Sequence, residues 1–238
     1  LTGGLYTAAA GLAAQQAVLD SLSNDIANVN TPGYRPSRVA FTDLLYQQES
    51  GVSVGAGVGI IDLGRSATPG SLQPSSNPLS VAIEGPGFLQ VKRADGTLAL
   101  TRSGDLQVDS NGTLVNASGN PIEPKLQLPA GADAAKVTIG VDGTVTYGTE
   151  TIGKLTIVDV PAPNGLISVG GGLLQTTPAS GAAAPVGSKL TQGMLEASGV
   201  DIANAMTSLI EAQRAYALQS RVIKTHDQLA QIANEIRR

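Results

Sequence analysis

The chain reads as α+β: a helix at each end carrying a seven-residue apolar repeat, and an antiparallel β domain between them. Near the start, Leu5, Leu12, Leu19 and Ile26 fall seven apart, followed at three residues by Ala8, Gln15, Leu22 and Val29. Near the end, Ile202, Leu209, Tyr216 and Ile223 repeat the spacing. Such spacing keeps apolar side chains on one helical face, so the terminal helices are expected to pack together in coiled-coil fashion. Between them, short runs of period two are separated by Asp-Gly and Asn-Gly pairs, which favour tight antiparallel hairpins.

Taken in order, residues 1–34 form a helix and its closing turn. The helix is expected from Leu5 to Val29, over Ala, Leu and Gln that favour it. It stops at Asn30-Thr31-Pro32-Gly33, because Pro32 disfavours helix in the residue before it. Residues 35–70 are an extended linking segment. Within it Val39, Phe41, Leu44 and Leu45 suit a short helix or an extended arm, and residues 51–59 alternate small and β-branched types. Residues 71–190 form the β domain. Its apolar positions are Val81, Ile83, Phe88 and Val91, then Leu98 and Leu100, Leu106 and Val108, and Leu114 and Val115, with turns at Asp95-Gly96 and Asn111-Gly112. Further strands are expected at 137–139 and 145–147, around Asp142-Gly143, and at 155–160. Residues 165–187, rich in Gly, Pro and Ala, are expected to be a long loop. Residues 191–238 make the last helix, clearest from Val200 to Ile236. Asp201 is its N-cap, and Arg237 and Arg238 complement its dipole.

Composition narrows the chemistry. Aromatics are 3% of 238 residues and tryptophan is absent, so Leu, Ile, Val and Ala must fill the core. The net charge is −4 without a basic cluster beyond Arg237-Arg238, which excludes binding through clustered phosphate contacts. No apolar run is long enough to span a bilayer, so membrane insertion is not expected. The first thirty residues lack the basic and apolar regions of a cleavable signal peptide. Zero cysteines remove disulfides and thiolate chemistry.

No catalytic, cofactor or metal set emerges. Gly55, Gly57 and Gly59 lack the spacing of a dinucleotide fingerprint, and no phosphate-loop lysine follows. His226 is the single histidine, which excludes a multi-histidine metal site within one chain and fits a surface or helix-contact role. Asp95, Asp105, Asp109 and Asp142 sit in turns. Hydrolysis of glycosides by such carboxylates needs a cleft lined by aromatics, which are scarce. Asn111 and Asn116 head glycosylation-type triplets too short and common to carry weight.

Two segments are more specific. Residues 27–35, Ala-Asn-Val-Asn-Thr-Pro-Gly-Tyr-Arg, follow Leu5-Tyr-Thr-Ala-Ala-Ala-Gly-Leu12. Together they resemble the N-terminal motif of bacterial flagellar rod and hook proteins, carried here by Asn28, Asn30, Thr31, Pro32, Gly33 and Tyr34. Leu195-Glu-Ala-Ser-Gly-Val-Asp201, with Ile210-Glu-Ala-Gln-Arg-Ala-Tyr216, resembles that family's C-terminal motif. A third match, Val81-Ala-Ile-Glu-Gly-Pro-Gly-Phe88 with Thr101-Arg-Ser-Gly-Asp105 through Asn120-Pro121, is similar to its middle domain. The resemblance covers nearly the whole chain. It is strongest to distal-rod members, although these commonly carry a longer insertion between Tyr46 and Ile60, which leaves open a proximal-rod reading, or a single rod subunit in a lineage with a different envelope. A hook protein would need room for an additional outer domain.

The resemblance implies a non-enzymatic structural subunit of the basal body, without cofactor. It would self-associate in a helical lattice, contact other rod and hook proteins, and cross the inner membrane through the flagellar export apparatus without a cleavable signal. Leu1 would stand where the family has its initiator methionine. Leu5, Leu12, Leu19, Leu22, Ile26, Ile202, Leu209, Tyr216 and Ile223 would be the packing residues of the assembly. The alternative from another class is a secreted carbohydrate-binding or hydrolytic β domain with helical appendages.

Overall fold

The computed structural model describes residues 2–44, 46–49, 52–55, 57–129 and 131–236. Leu1, Leu45, Gly51, Arg237 and Arg238, and the side chain of Leu5, lie outside what is described. The fold is α+β, with a helix at each end and antiparallel strands between. Two compact units share the chain: one is Leu1–Ala27, Ser37–Leu63 and Asp201–Arg238, the other Asn28–Pro36 and Gly64–Val200.

The first unit is a helix pair with a β arm. Helix α1 runs Thr2–Ala27 and helix α2 runs Ile202–Ile236. Asp201 caps α2: its Oδ1 accepts from the backbone N–H of Ala203 at 3.0 Å and Asn204 at 3.2 Å. That satisfies two of the donors a helix start leaves open, a contribution of about 1 kcal/mol. The helices pack against each other. Gly11 and Ala14 are buried on α1 and Ala212 on α2. The fit is close at Gly11, where an added Cβ would lie 3.4 Å from the Gln219 amide nitrogen. Small residues therefore let the backbones approach. The stretch after α1 is strand, not helix: Ser37–Asp43 pairs with Val58–Arg65, and Tyr46–Glu49 with Val52–Gly55. Asp25, buried on α1, accepts the Ser37 N–H at 3.2 Å and ties the arm to its helix.

The second unit holds the main core. Its largest sheet has seven strands, in the order Ile167–Gly170, Leu173–Gln175, Leu98–Thr101, Phe88–Lys92, Ile157–Asp159 and Ala184–Pro185, with Ile122–Glu123 also on Phe88–Lys92. A three-stranded sheet, Val137–Ile139, Thr144–Tyr147 and Glu150–Lys154, and three two-stranded ribbons complete it. Asp95-Gly96, Asn111-Gly112 and Asp142-Gly143 each lie in a turn between paired strands. In each, an aspartate carboxylate accepts the N–H of the following threonine, from Asp95 to Thr97, Asp109 to Thr113 and Asp142 to Thr144. Leu89, Val91, Leu106, Leu114 and Ile122 are wholly buried in one cluster. Phe88, Leu100, Val158, Val160 and Leu174 form a smaller one. Branched aliphatics do fill the interior, as the scarcity of aromatics requires.

Two expectations need correction. Residues 165–187 are not one long loop: Ile167–Gly170 and Leu173–Gln175 form a hairpin, and Ala184–Pro185 adds an edge. Gly170-Gly171-Gly172 supply its turn while Leu173 and Leu174 enter the core, so the glycines mark a tight corner rather than slack chain. The helical stretch also starts later than residue 191. Lys189–Gln192 and Met194–Glu196 are strands that pair with Val81–Glu84 and Leu72–Pro74, and α2 begins only after the Asp201 cap.

Candidate assembly site

The loop Asn28–Pro36 is closed locally. Asn28 accepts twice from Thr31, through its carbonyl from the N–H at 3.0 Å and through Oδ1 from the hydroxyl at 3.1 Å. The Tyr34 N–H returns to the Thr31 carbonyl at 3.2 Å. Pro32 has no N–H to extend the helix, and Gly33 turns the chain with φ +70°. Asn30 stays exposed, whereas Tyr34 is buried under the Arg65 guanidinium, 5.2 Å from its ring centre. The loop then docks on the strand that carries the C-terminal motif: Gly33 N–H donates to the Glu196 carbonyl at 2.8 Å, and Gly199 N–H to the Tyr34 carbonyl at 2.9 Å.

Beneath this loop lies a buried charge cluster. Glu196 Oε2 accepts from Arg102 Nε at 2.6 Å, with the two side chains 2% and 4% exposed. Its Oε1 accepts from Arg35 Nη2 at 3.3 Å and from the Gly70 N–H at 3.2 Å. Arg102 gives three more of its donors to the carbonyls of Ile83, Gly85 and Gly87, holding the turn between two core strands. Arg35 also reaches the Ala67 carbonyl at 3.1 Å. Burial, and then the Arg102 charge, pull the Arg35 guanidinium below its ordinary pKa, against the pull of Glu196. Removing one partner of a buried ion pair costs about 3–5 kcal/mol, because the other charge is left uncompensated.

On the helices, Leu12, Leu19, Leu22 and Ile26 of α1 and Leu209, Tyr216 and Ile223 of α2 are half-buried, while Ile202 is exposed. The covered face of α2 passes through Ala205, Leu209, Ala212, Tyr216, Gln219, Ile223 and His226. A second set went unnoticed in the sequence: Met206, Ile210, Leu218, Val222, Leu229 and Ile232 stand exposed on α2. Their spacing of four, visible in 202, 206, 210 and again in 218, 222, was the available signal.

Among the described residues no group of His, Asp and Glu is placed to hold a metal ion. A cavity of about 670 Å³ in the second unit has Arg35, Arg102 and Glu196 at its wall, the Glu196 carboxylate bonded to both arginines, with Glu84 and Asp159 lining it as well. Phe88 is its single aromatic among the described residues, unlike a sugar-binding cleft.

Family models match in three places. Residues 5–35 match the flagella basal body rod protein model, residues 82–147 the flagellar hook protein FlgE/F/G D1 domain, and residues 191–236 the flagellar basal body rod FlgEFG protein C-terminal model. The flagellar basal-body rod protein FlgG of Agrobacterium fabrum is 37% identical over 97% of this chain and 98% of its own. The FlgG of Buchnera aphidicola from Schizaphis graminum is 35% identical over 98% of both. The flagellar basal-body rod protein FlgF of Escherichia coli is 29% identical over 93% and 92%. Arg35, Arg102 and Glu196 come one from each matched region, so the charge cluster joins the three motifs that the likeness rests on. With similarity running nearly end to end, this chain belongs to the flagellar basal-body rod protein family.

Proposed function

We propose that this chain is a distal-rod subunit: a non-enzymatic building block that self-associates into a helical axial tube and passes torque to the hook. The observation that carries the reading is likeness to FlgG proteins at 35–37% identity over 97–98% of this chain. A proximal-rod position is the second reading, supported by the FlgF likeness at 29%.

The division of labour on the helices supports assembly. Leu12, Leu19, Leu22, Ile26, Leu209, Tyr216 and Ile223 form a coiled-coil-like seam between α1 and α2. Leu5 belongs to the same seam by its place in the repeat. Ile202, with Met206, Ile210, Leu218, Val222, Leu229 and Ile232, is the surface for neighbouring copies, since so many apolar side chains along one helix call for a cover. Asn28, Asn30, Thr31, Pro32, Gly33 and Tyr34 act by fixing the loop that follows α1. Contacts with other rod and hook proteins, and delivery by the flagellar export apparatus, belong to the same proposal.

The test is genetic and visual. A strain lacking the chain should be non-motile, with basal bodies that stop before the hook, and an epitope-tagged copy should restore swimming and label the distal rod. Complete, swimming flagella in the deletion strain would end the reading. Label confined to the base of the rod would replace it with the proximal one.

A further inference from the structure

The chain passes between its two units four times, after Ala27, Pro36, Leu63 and Val200. On the β side, all four passages begin in segments that are tied to one another. Gly33 N–H bonds the Glu196 carbonyl, Ser66 N–H the Pro36 carbonyl, Ala197 N–H the Ser71 carbonyl, and Gly199 N–H the Tyr34 carbonyl, all at 2.8–2.9 Å. Side chains cross-link the same segments. Arg65 Nη1 donates to the Arg35 carbonyl at 2.7 Å, Arg35 bonds Ala67 and Glu196, and Glu196 bonds Gly70 and Arg102. The Glu196 carboxylate bonds two of these segments, at Arg35 and Gly70, and also Arg102 beside the core, and it is nearly inaccessible.

We infer that Glu196, with Arg35 and Arg102, is a mechanical joint that makes the four passages one cross-tied root instead of four independent tethers. The load in question rests on the rod-subunit reading; the cross-tying does not. A tether held by one or two backbone bonds opens by local fluctuation, whereas a segment bonded to a buried carboxylate that other segments share opens at the added cost of those bonds, and releasing the carboxylate itself loosens all of them together. Glu196 is thus a positioning residue: it fixes where four lengths of chain leave the β unit.

The test is amide hydrogen exchange on the purified full-length chain and its Glu196→Ala variant. Removing a buried ion pair's partner implies acceleration of about a hundred-fold. The acceleration should appear together at Gly33, Ser66, Ala197 and Gly199, none of whose N–H groups bonds the carboxylate itself. The core amides of Leu89, Val91 and Leu114 should keep their rates. Arg35→Ala, which leaves the Arg102–Glu196 pair intact, should speed the same four amides by a smaller factor, and it serves if Glu196→Ala does not fold. Acceleration at Gly70 alone would show independent anchors and overturn the inference. Equal acceleration of the core amides in Arg35→Ala would overturn it too, by making the cluster an ordinary part of the core. Either result can be obtained whether or not the chain proves to be a rod subunit.

Discussion

Gly33→Ala places a methyl group where the loop after α1 meets the β unit, and its cost can be worked out in two parts. The first is conformational. Gly33 has φ +70°, a left-handed setting that costs an L-residue about 1–2 kcal/mol. The second is steric. The new Cβ would lie 2.7 Å from the Arg102 carbonyl carbon, 2.8 Å from Ser103 N and 2.9 Å from Arg102 O, all backbone atoms. That backbone cannot retreat freely, because the Arg102 side chain is bonded to Glu196 and to three carbonyls. Overpacking of this kind costs about 1–3 kcal/mol more. The sum, about 2–5 kcal/mol, is a large share of the 5–15 kcal/mol typical of a whole domain. Gly119→Ala is the matched control, with φ +79° and nothing within 4 Å of an added Cβ, so it isolates the conformational part. Urea unfolding of the second unit, followed by circular dichroism with amide exchange at Gly33 and Gly199, reads both variants. If the loop peels away to relieve the clash, the exchange at those two amides reports it. Equal stability and equal exchange in the Gly33→Ala and Gly119→Ala proteins would refute the claim that the loop is locked onto Arg102.

Other outcomes follow from the same structure. Asp95 and Asp142 hold their pKa values below the ordinary carboxylate range, chiefly through the hydroxyls of Thr97 and Thr144. A depressed folded-state pKa contributes stability above the unfolded value of about 3.9, and that contribution is lost as pH falls through the folded one. Asp95→Asn with Asp142→Asn should therefore lower stability at pH 7 and flatten the acid limb, with variant and parent converging as pH falls well below about 4; an unchanged acid limb would count against the turn assignment. Leu218→Asp with Val222→Asp alters exposed positions, so the purified chain should keep its unfolding free energy to within about 1 kcal/mol while cells lose motility. Normal swimming would remove that face from the assembly. In dilute monomer, amides of Thr2–Ala27 and Ile202–Ile236 should exchange faster than those of the buried strands, and in purified rods they should be protected. Equal protection in both states would mean that the helices need no neighbours.

How much was legible in advance depends on how local the signal is. The terminal helices announce themselves because a long apolar period and the Asp201 cap lie within a few turns of one another. The turns at Asp95-Gly96, Asn111-Gly112 and Asp142-Gly143 are equally local. The cluster of Arg35, Arg102 and Glu196 is not: its partners stand 161 and 94 residues apart, and nothing in the period of a strand or helix marks a carboxylate that will be buried between arginines. The hairpin Ile167–Gly170 with Leu173–Gln175 was hidden because its strands are too short to show a period beside so much glycine. On α2 the repeat of seven falls on Leu209, Tyr216 and Ile223, which are half-buried. The residues left outside, Met206, Ile210, Leu218 and Val222, follow a spacing of four that the search for sevens passes over. Periodicity names the faces of a helix, and only packing shows which face is already covered.

The central claim is that the outward apolar face of α2 is an interface between copies in a rod. Cryo-electron microscopy of purified basal bodies at side-chain resolution tests it most directly. This account predicts the chain in the distal rod, with Met206, Ile210, Leu218 and Val222 of each copy packed against helices of its neighbours. A rod built of this chain in which those four side chains face open solvent, or a rod from which the chain is missing, would contradict it.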